Sequence, residues 1–281
     1  MSKPKIQIEK NTVQETLIIP LYGRKMCTEQ FPNLFQDPKA VELLDSLDYD
    51  FTVMEKKSKS IGYRFGALEV AMRETDLGLE IKDYLKVHPN AAVVNLGCGL
   101  DQTAENQDNG TCRIYNIDMP DIIAAREQLI DKSERVENIA CDLNDISWFN
   151  RIDASDGVVF MAAGVFYYFL RNQIKALFTA MQKRFPGGRL VFDSAGKRAV
   201  KMMVKTWIKD AGITSISDCF YVEDTKTDIE TWLPGASVSS KGYMLGYNDL
   251  KDPSVSGLFR LMAKLGDGAM KMKIVRIEFK G

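Results

Sequence analysis

An open α/β fold, a mostly parallel sheet with helices on both faces, is predicted by three features of the 281-residue sequence. From Ala91 onward, short apolar runs alternate with segments of helical periodicity, the pattern expected when crossover helices join parallel strands. The run AVVNL ends in Gly97-Cys98-Gly99, a corner where a strand can turn sharply and bring its backbone close to a ligand. Near the C-terminus, MKMKIVRIEFK alternates apolar with polar residues, as does a strand with one wet face, and is expected to be the antiparallel partner that finishes the sheet.

Taken in order, residues 1–90 carry no strong strand signal and read as a helical cap. Asp37-Pro38 marks a helix start with Val41, Leu44 and Leu47 behind it, and EKKSKS is a polar break. Strands are predicted at 91–96, 113–117, 137–141, 157–162 and 189–193. Between the last two, Ile174, Leu177, Phe178, Met181 and Phe185 recur at helical spacing, and Pro186-Gly187-Gly188 stops that helix. After the fifth strand, Val200, Met203, Val204, Trp207, Ile208 and Ala211 form a second apolar stripe closed by Gly212. Residues 91–281 thus form the sheet domain, and its segment 214–256, together with the cap, is expected to line a substrate pocket.

With 45% hydrophobic residues the chain can bury a substantial core. Lys and Arg (37) nearly balance Asp and Glu (38), so no global field invites nucleic acid or an anionic membrane, and a small-molecule or protein substrate is expected. No stretch is long and apolar enough to span a bilayer, and MSKPKIQIEKN lacks the apolar core of a signal peptide, so a cytoplasmic location is expected. Oligomeric state has no sequence signature here. The five cysteines are scattered without a CxxC pair, which argues for reduced thiols and against a metal site. Cys98 reads as a small residue fitted into the corner.

Three acids stand near the glycine corner in this topology: Asp101 just beyond it, Asp118 ending the second strand in YNIDMP with Met119 behind it, and Asp142 ending the third in ACDLND with Leu143 behind it. In a doubly wound sheet these strand ends face one crevice. A dinucleotide fingerprint needs a third glycine where Gln102 stands, which demotes a nicotinamide cofactor. One acid can accept from both ribose hydroxyls, another from an adenine amino group, and Leu143 can cover the base. Three carboxylates would repel a pyrophosphate but not a sulfonium, which favours S-adenosylmethionine.

LIIPLYGR, AMRETDLGLEIKDYLKVHPNAAVVNLGCGLD, YNIDMPDIIAAR, DLNDISW and AAGVFYYF, in that order, resemble the leucine carboxyl methyltransferase family, in particular its bacterial branch of the tetracenomycin polyketide O-methyltransferase kind. The resemblance covers roughly residues 14–195. It implies a class I S-adenosylmethionine-dependent methyltransferase fold, a Rossmann-like, mostly parallel seven-stranded sheet with an N-terminal helical cap. By motif position, Arg73 is similar to the arginine that grips the cofactor carboxylate and Arg24 to the basic residue that assists. A planar guanidinium suits that task; the alternative for Arg73 is a surface residue pairing with Glu69 or Asp76. Relatives carry a glutamate where this chain has Ala163, ahead of Gly164, so a role of that acid toward the cofactor's amino group passes to backbone carbonyls or lapses. Of Phe166, Tyr167, Tyr168 and Phe169, half are expected to be core; Tyr168 is the candidate to face the sulfonium and orient an attacking oxygen. The implied activity is methyl transfer to a carboxylate or acidic hydroxyl of a small, polyketide-like metabolite. A cofactor-binding protein without catalysis is the alternative from another class, and a nicotinamide-dependent oxidoreductase the third.

Overall fold

The computed structural model describes residues 6–7, 13–203 and 219–281. Seven strands make one sheet: β1 (Ala92–Leu96), β2 (Arg113–Asp118), β3 (Val136–Ala140), β4 (Val158–Ala162), β5 (Arg189–Ser194), β6 (Ser237–Gly242) and β7 (Lys273–Glu278), in the spatial order β3-β2-β1-β4-β5-β7-β6. The first five are parallel, and β7 runs antiparallel to both its neighbours. The strand order reverses between β1 and β4. There the crossovers depart to opposite sides and leave a crevice beyond the carboxyl ends of the strands.

Each of the five strands read from the sequence lies within one residue of its predicted ends. The reason is burial: every residue of β1 and β4 is buried, and strands covered on both faces read as continuous apolar runs. Successive residues alternate between two cores. Val93, Val159 and Val191 face one cluster, and Val94, Phe160 and Leu190 the other. The C-terminal strand does not finish the sheet. It is inserted between β5 and β6, and β6, with the sequence SVSSKG, is the edge. An exposed, serine-rich edge strand carries no apolar pattern to be read.

The first helices are α1 (Val13–Gln30), α2 (Pro38–Asp45), α3 (Thr52–Lys57) and α4 (Ile61–Val87). Asp37 caps α2, accepting from the Ala40 N–H at 3.0 Å; Val41 and Leu44 fall on that helix and Leu47 lies just past it. The EKKSKS break falls where α3 gives way to α4, which Ser60 caps. Helix α1 packs on α4, and the C-terminal half of α4 buries Leu77, Ile81 and Leu85 in the core shared with the sheet. The remaining helices are α5 (Thr103–Asn106), α6 (Pro120–Leu129), α7 (Arg171–Arg184), α8 (Lys197–Met203), α9 (Thr225–Asp228) and α10 (Gly257–Asp267). The helix predicted around Phe178 is α7. Val200 and Met203 lie on α8, whereas Val204, Trp207, Ile208, Ala211 and Gly212 fall outside the described residues.

Candidate active site

The corner after β1 needs its glycines for two reasons. Gly97 and Gly99 have φ of +62° and +48°, the left-handed region that a side chain disfavours. A Cβ at Gly97 would also lie 2.7 Å from Cγ2 of Val165, and one at Gly99 2.9 Å from Cδ2 of Leu17. The loop after β4 and helix α1 therefore close directly on the corner. Asn95, the polar residue in an otherwise apolar strand, donates to Asp101 at 3.3 Å. Asp101 accepts the N–H and hydroxyl of Thr103 at 2.9 and 3.0 Å, so that acid starts α5.

Behind the corner stands Arg126, 1% exposed. It donates from Nη1 to the carbonyls of Gly99 and Asp101 at 2.8 and 2.7 Å, and from Nη2 to Glu105 at 2.5 Å. Inward-turned carbonyls are thus satisfied by a charge rather than by water. Asp118, at the end of β2, accepts from the N–H groups of Gly99 and Met119, both at 2.8 Å. Burial nevertheless raises its pKa against the pull of those two donors. Each carboxylate oxygen keeps acceptor capacity for a further donor. Asp142, just past β3, accepts from the N–H and amide of Asn144, both at 2.9 Å, with Leu143 buried beside it.

The two arginines differ. Arg24, 3% exposed, lies 2.9 Å from Glu74, 3.3 Å from Asp37 and 3.9 Å from Asp101, and donates to the Leu100 carbonyl. Burial pushes the Glu74 carboxyl up to about 7 although Arg24 pulls it down. Arg73 has one ion-pair partner among the described residues, Asp193 at the end of β5, 3.5 Å away. Burial opposes its charge, but the surrounding groups, Tyr243 and Asp193 foremost, outweigh that and hold the guanidinium protonated. It is not a surface residue, and neither Glu69 nor Asp76 forms an ion pair with it. Gly164, with φ +73°, leaves room for it: a Cβ there would lie 2.6 Å from Arg73 Nη1.

Of the four aromatic residues after β4, Phe166 is packed among Phe178, Phe192 and Phe220. Tyr167 is buried, and burial, with the Asp193 charge next, raises its hydroxyl pKa. Tyr168 is 46% exposed and, with Phe169, faces the crevice. Burial raises the Tyr168 hydroxyl pKa, and the Arg73 charge opposes the shift.

Arg24, Arg73, Gly97, Cys98, Gly99, Asp101, Asp118, Met119, Asp142, Leu143, Ala163, Gly164 and Tyr168 all line a single cavity of about 420 Å³. Leu17, Pro20 and Val70 add an apolar wall from α1 and α4 that the sequence reading did not single out; Leu17 and Pro20 lie within LIIPLYGR. Arg126 and Asp193 were missed too. Asp193 in VFDS carries the signal that marked Asp118 and Asp142, an acid ending a strand. Arg126 has no such mark, since a helical arginine ordinarily reads as solvated. Among the described residues of 219–256, none lines this cavity; part of that segment is the edge strand β6, at the far side of the sheet.

A family model described as leucine carboxyl methyltransferase matches residues 21–182, more than half of the chain. Among curated proteins, the tetracenomycin polyketide synthesis O-methyltransferase TcmP of Streptomyces glaucescens is 27% identical over 183 residues, 65% of this chain and 66% of that protein. The match thus spans just under two thirds of that relative's length. Among solved structures, a Thermobifida fusca protein assigned as a methyltransferase superposes with a TM-score of 0.61 over 97% of this chain and 96% of its own, at 14% identity. The plantazolicin methyltransferase BamL, solved with a triazolic desmethylPZN analog and SAH, gives 0.51 over 95% and 99%, at 13% identity. These two likenesses concern the fold.

Proposed function

The chain belongs to the leucine carboxyl methyltransferase family, and on that premise we propose that it transfers a methyl group from S-adenosylmethionine to an oxygen of a small molecule, a carboxylate or an acidic hydroxyl. The residues present fit the cofactor. Gly97, Gly99 and Gly164 let Val165, Leu17 and Arg73 close in around the cavity, where Cβ atoms would push them away. Asp118 and Asp142 offer acceptors to ribose hydroxyls and an adenine amino group, with Met119 and Leu143 beside the base. Arg73, whose one ion-pair partner among the described residues lies at 3.5 Å, has N–H donors to spare for a carboxylate. Arg24, already faced by three carboxylates, assists by shaping the wall. With Ala163 in the place of an acid, backbone carbonyls of that loop are left to meet an ammonium.

When bound, S-adenosylmethionine supplies an electrophilic methyl group on a sulfonium. The protein's own part is to hold the acceptor in line and to exclude water. Such positioning contributes up to ~7–11 kcal/mol in well-oriented model systems. Leu17, Pro20 and Val70 form the dry wall, and Tyr168 is the hydroxyl placed to orient an oxygen.

The observation that carries the acidic-oxygen reading is the place of the only histidine. His88 caps the C-terminus of α4 and stacks on Tyr84 with centroids 4.6 Å apart, beside Gly157 at the entry to β4. That is the opposite end of the strands from the cavity. With no imidazole at hand to deprotonate a neutral alcohol, an acceptor that is already ionised, or nearly so, fits best. The test is incubation of the protein with methyl-labelled cofactor and a metabolite extract, followed by mild base. Label released as methanol is expected, as from a methyl ester; base-stable label would move the acceptor to a phenolic hydroxyl, and no incorporation would refute the proposal.

A further inference from the structure

Asp193 sits near the end of β5, 4% exposed, where three elements meet. Its Oδ1 accepts the N–H of Gly164 at 2.5 Å, its Oδ2 lies 3.5 Å from Arg73 Nη1 on α4, and its charge acts on the nearby Tyr167 hydroxyl. Pinning Gly164 also pins the next residue, Val165, whose methyl groups fill the space over Gly97. One carboxylate thereby sets the loop after β4 against both the corner after β1 and the Arg73 guanidinium.

The charges around the two arginines point the same way. Arg24 faces Glu74, Asp37 and Asp101, so its charge is already met within the protein. Arg73 has Asp193 as its one ion-pair partner among the described residues, at a distance too long for a two-pronged hydrogen bond. Asp193 is the nearest counter-charge of that guanidinium, with Asp101 and Glu69 acting from further off, and its remaining N–H groups stay unspent.

We propose that Asp193 is a positioning residue that fixes Arg73 and the Gly164 turn relative to one another, and thereby sets the site's preference for ligands that carry a carboxylate. This rests on the cofactor reading given above. Loss of the Asp193 charge leaves Arg73 free to swing toward other buried acceptors, whereas the nucleoside end of the cavity, built from Asp118 and Asp142, does not touch Asp193.

The test is calorimetric titration with two ligands that differ only in the carboxylate, S-adenosylhomocysteine and its decarboxylated analogue. Wild type is expected to bind the first more tightly; absence of that preference would remove the underlying reading of the site rather than the role of Asp193. Asp193→Asn keeps the shape and an acceptor for the Gly164 N–H. It is expected to weaken S-adenosylhomocysteine about tenfold and the analogue less than about twofold. In the Arg73→Lys background the same change should add little further loss, since the two residues act as one unit. Equal weakening of both ligands, no weakening of either, or full additivity with Arg73→Lys would overturn the proposal. Should Asp193→Asn fail to fold, Tyr167→Phe removes the hydroxyl beside Asp193 and keeps every charge. Its expected loss, about threefold, is confined to the carboxylate-bearing ligand, and any other pattern counts against the assignment.

Discussion

At the corner after β1 a buried cation, Arg126, reaches in and donates to two backbone carbonyls; at the loop after β4 a buried anion, Asp193, accepts a backbone N–H. The two lips of the cavity are thus braced with opposite charge, and what each leaves over differs accordingly. On the first lip the unspent groups are acceptors, the oxygens of Asp118 and, further along, Asp142. On the second they are donors, the N–H groups of Arg73. A ligand with hydroxyl and amino donors at one end and a carboxylate at the other meets its complement in that order.

The comparison breaks most severely at Arg126. Arg126→Ala strands the Gly99 and Asp101 carbonyls and leaves the Glu105 carboxylate with the Asn116 amide but no counter-charge, and a loss of about 3–5 kcal/mol in denaturant unfolding is expected; a loss below about 1 kcal/mol would show that the corner holds itself. Asp118→Ala removes the acceptor of the first lip while leaving a folded protein. Affinity for S-adenosylhomocysteine should fall by about 1.5–3 kcal/mol, and calorimetry that finds it unchanged would strip Asp118 of its role.

Gly164→Ala tests the second lip. A side chain at φ +73° that also meets Arg73 should cost about 1–2 kcal/mol of stability, with the affinity loss again larger for S-adenosylhomocysteine than for its decarboxylated analogue. A stable variant with unaltered selectivity would mean that the turn does not shape the arginine's seat.

A subtler test lies behind that lip, at Asp76. It is 1% exposed, and neither carboxylate oxygen has a hydrogen-bond partner among the described residues. Burial, then the charge of Asp267, pushes its pKa up to about 8. Because the folded state holds this proton more tightly than the unfolded chain, the group's stabilising contribution is complete below about pH 4 and is lost as pH rises toward 8. Asp76→Asn, which cannot ionise, should therefore gain on wild type across that interval and level off above it, by about 2–4 °C in Tm for each kcal/mol recovered. A constant offset at all pH values would contradict the assignment.

The smallest effect is expected at the opposite end of the sheet. His88→Gln should retain methyl transfer, and the wild-type rate should show no loss tracking an imidazole titration between pH 6 and 8. Collapse of turnover in the folded variant would place a base where the structure has none.

How far the sequence foretold these features follows from what each residue contacts. Strands buried on both faces are apolar but for a residue or two and were visible to within a residue, and Asp118 at the end of β2 and Asp142 just past β3 were visible because they follow such runs. Residues that act on the backbone were not. Arg126 serves carbonyls that have no sequence of their own, and Asn95 acquires a role only through Asp101, 3.3 Å away in the folded chain. Gln102, which argued against a dinucleotide site, proves to be the residue before the first turn of α5. The edge strand β6 escaped notice because exposure removes the very alternation that marks a half-buried strand, so the stretch around it was expected to line the pocket instead.

The insertion of β7 between β5 and β6 has a consequence for the order in which the sheet assembles. Strand β6 precedes β7 in the chain yet reaches the sheet only through it, so it joins the parallel strands only with or after the docking of Lys273–Glu278 along Arg189–Ser194. The five parallel strands can pair beforehand, leaving one flank of β5 bare and open to rival partners in the interval. Closing that flank requires contacts between segments far apart in sequence, which makes it a slow event. In the folded protein the same dependence runs backwards: detachment of β7 releases β6 with it, so amide protons on these two strands should exchange as one cooperative unit, well before those of β1 and β4.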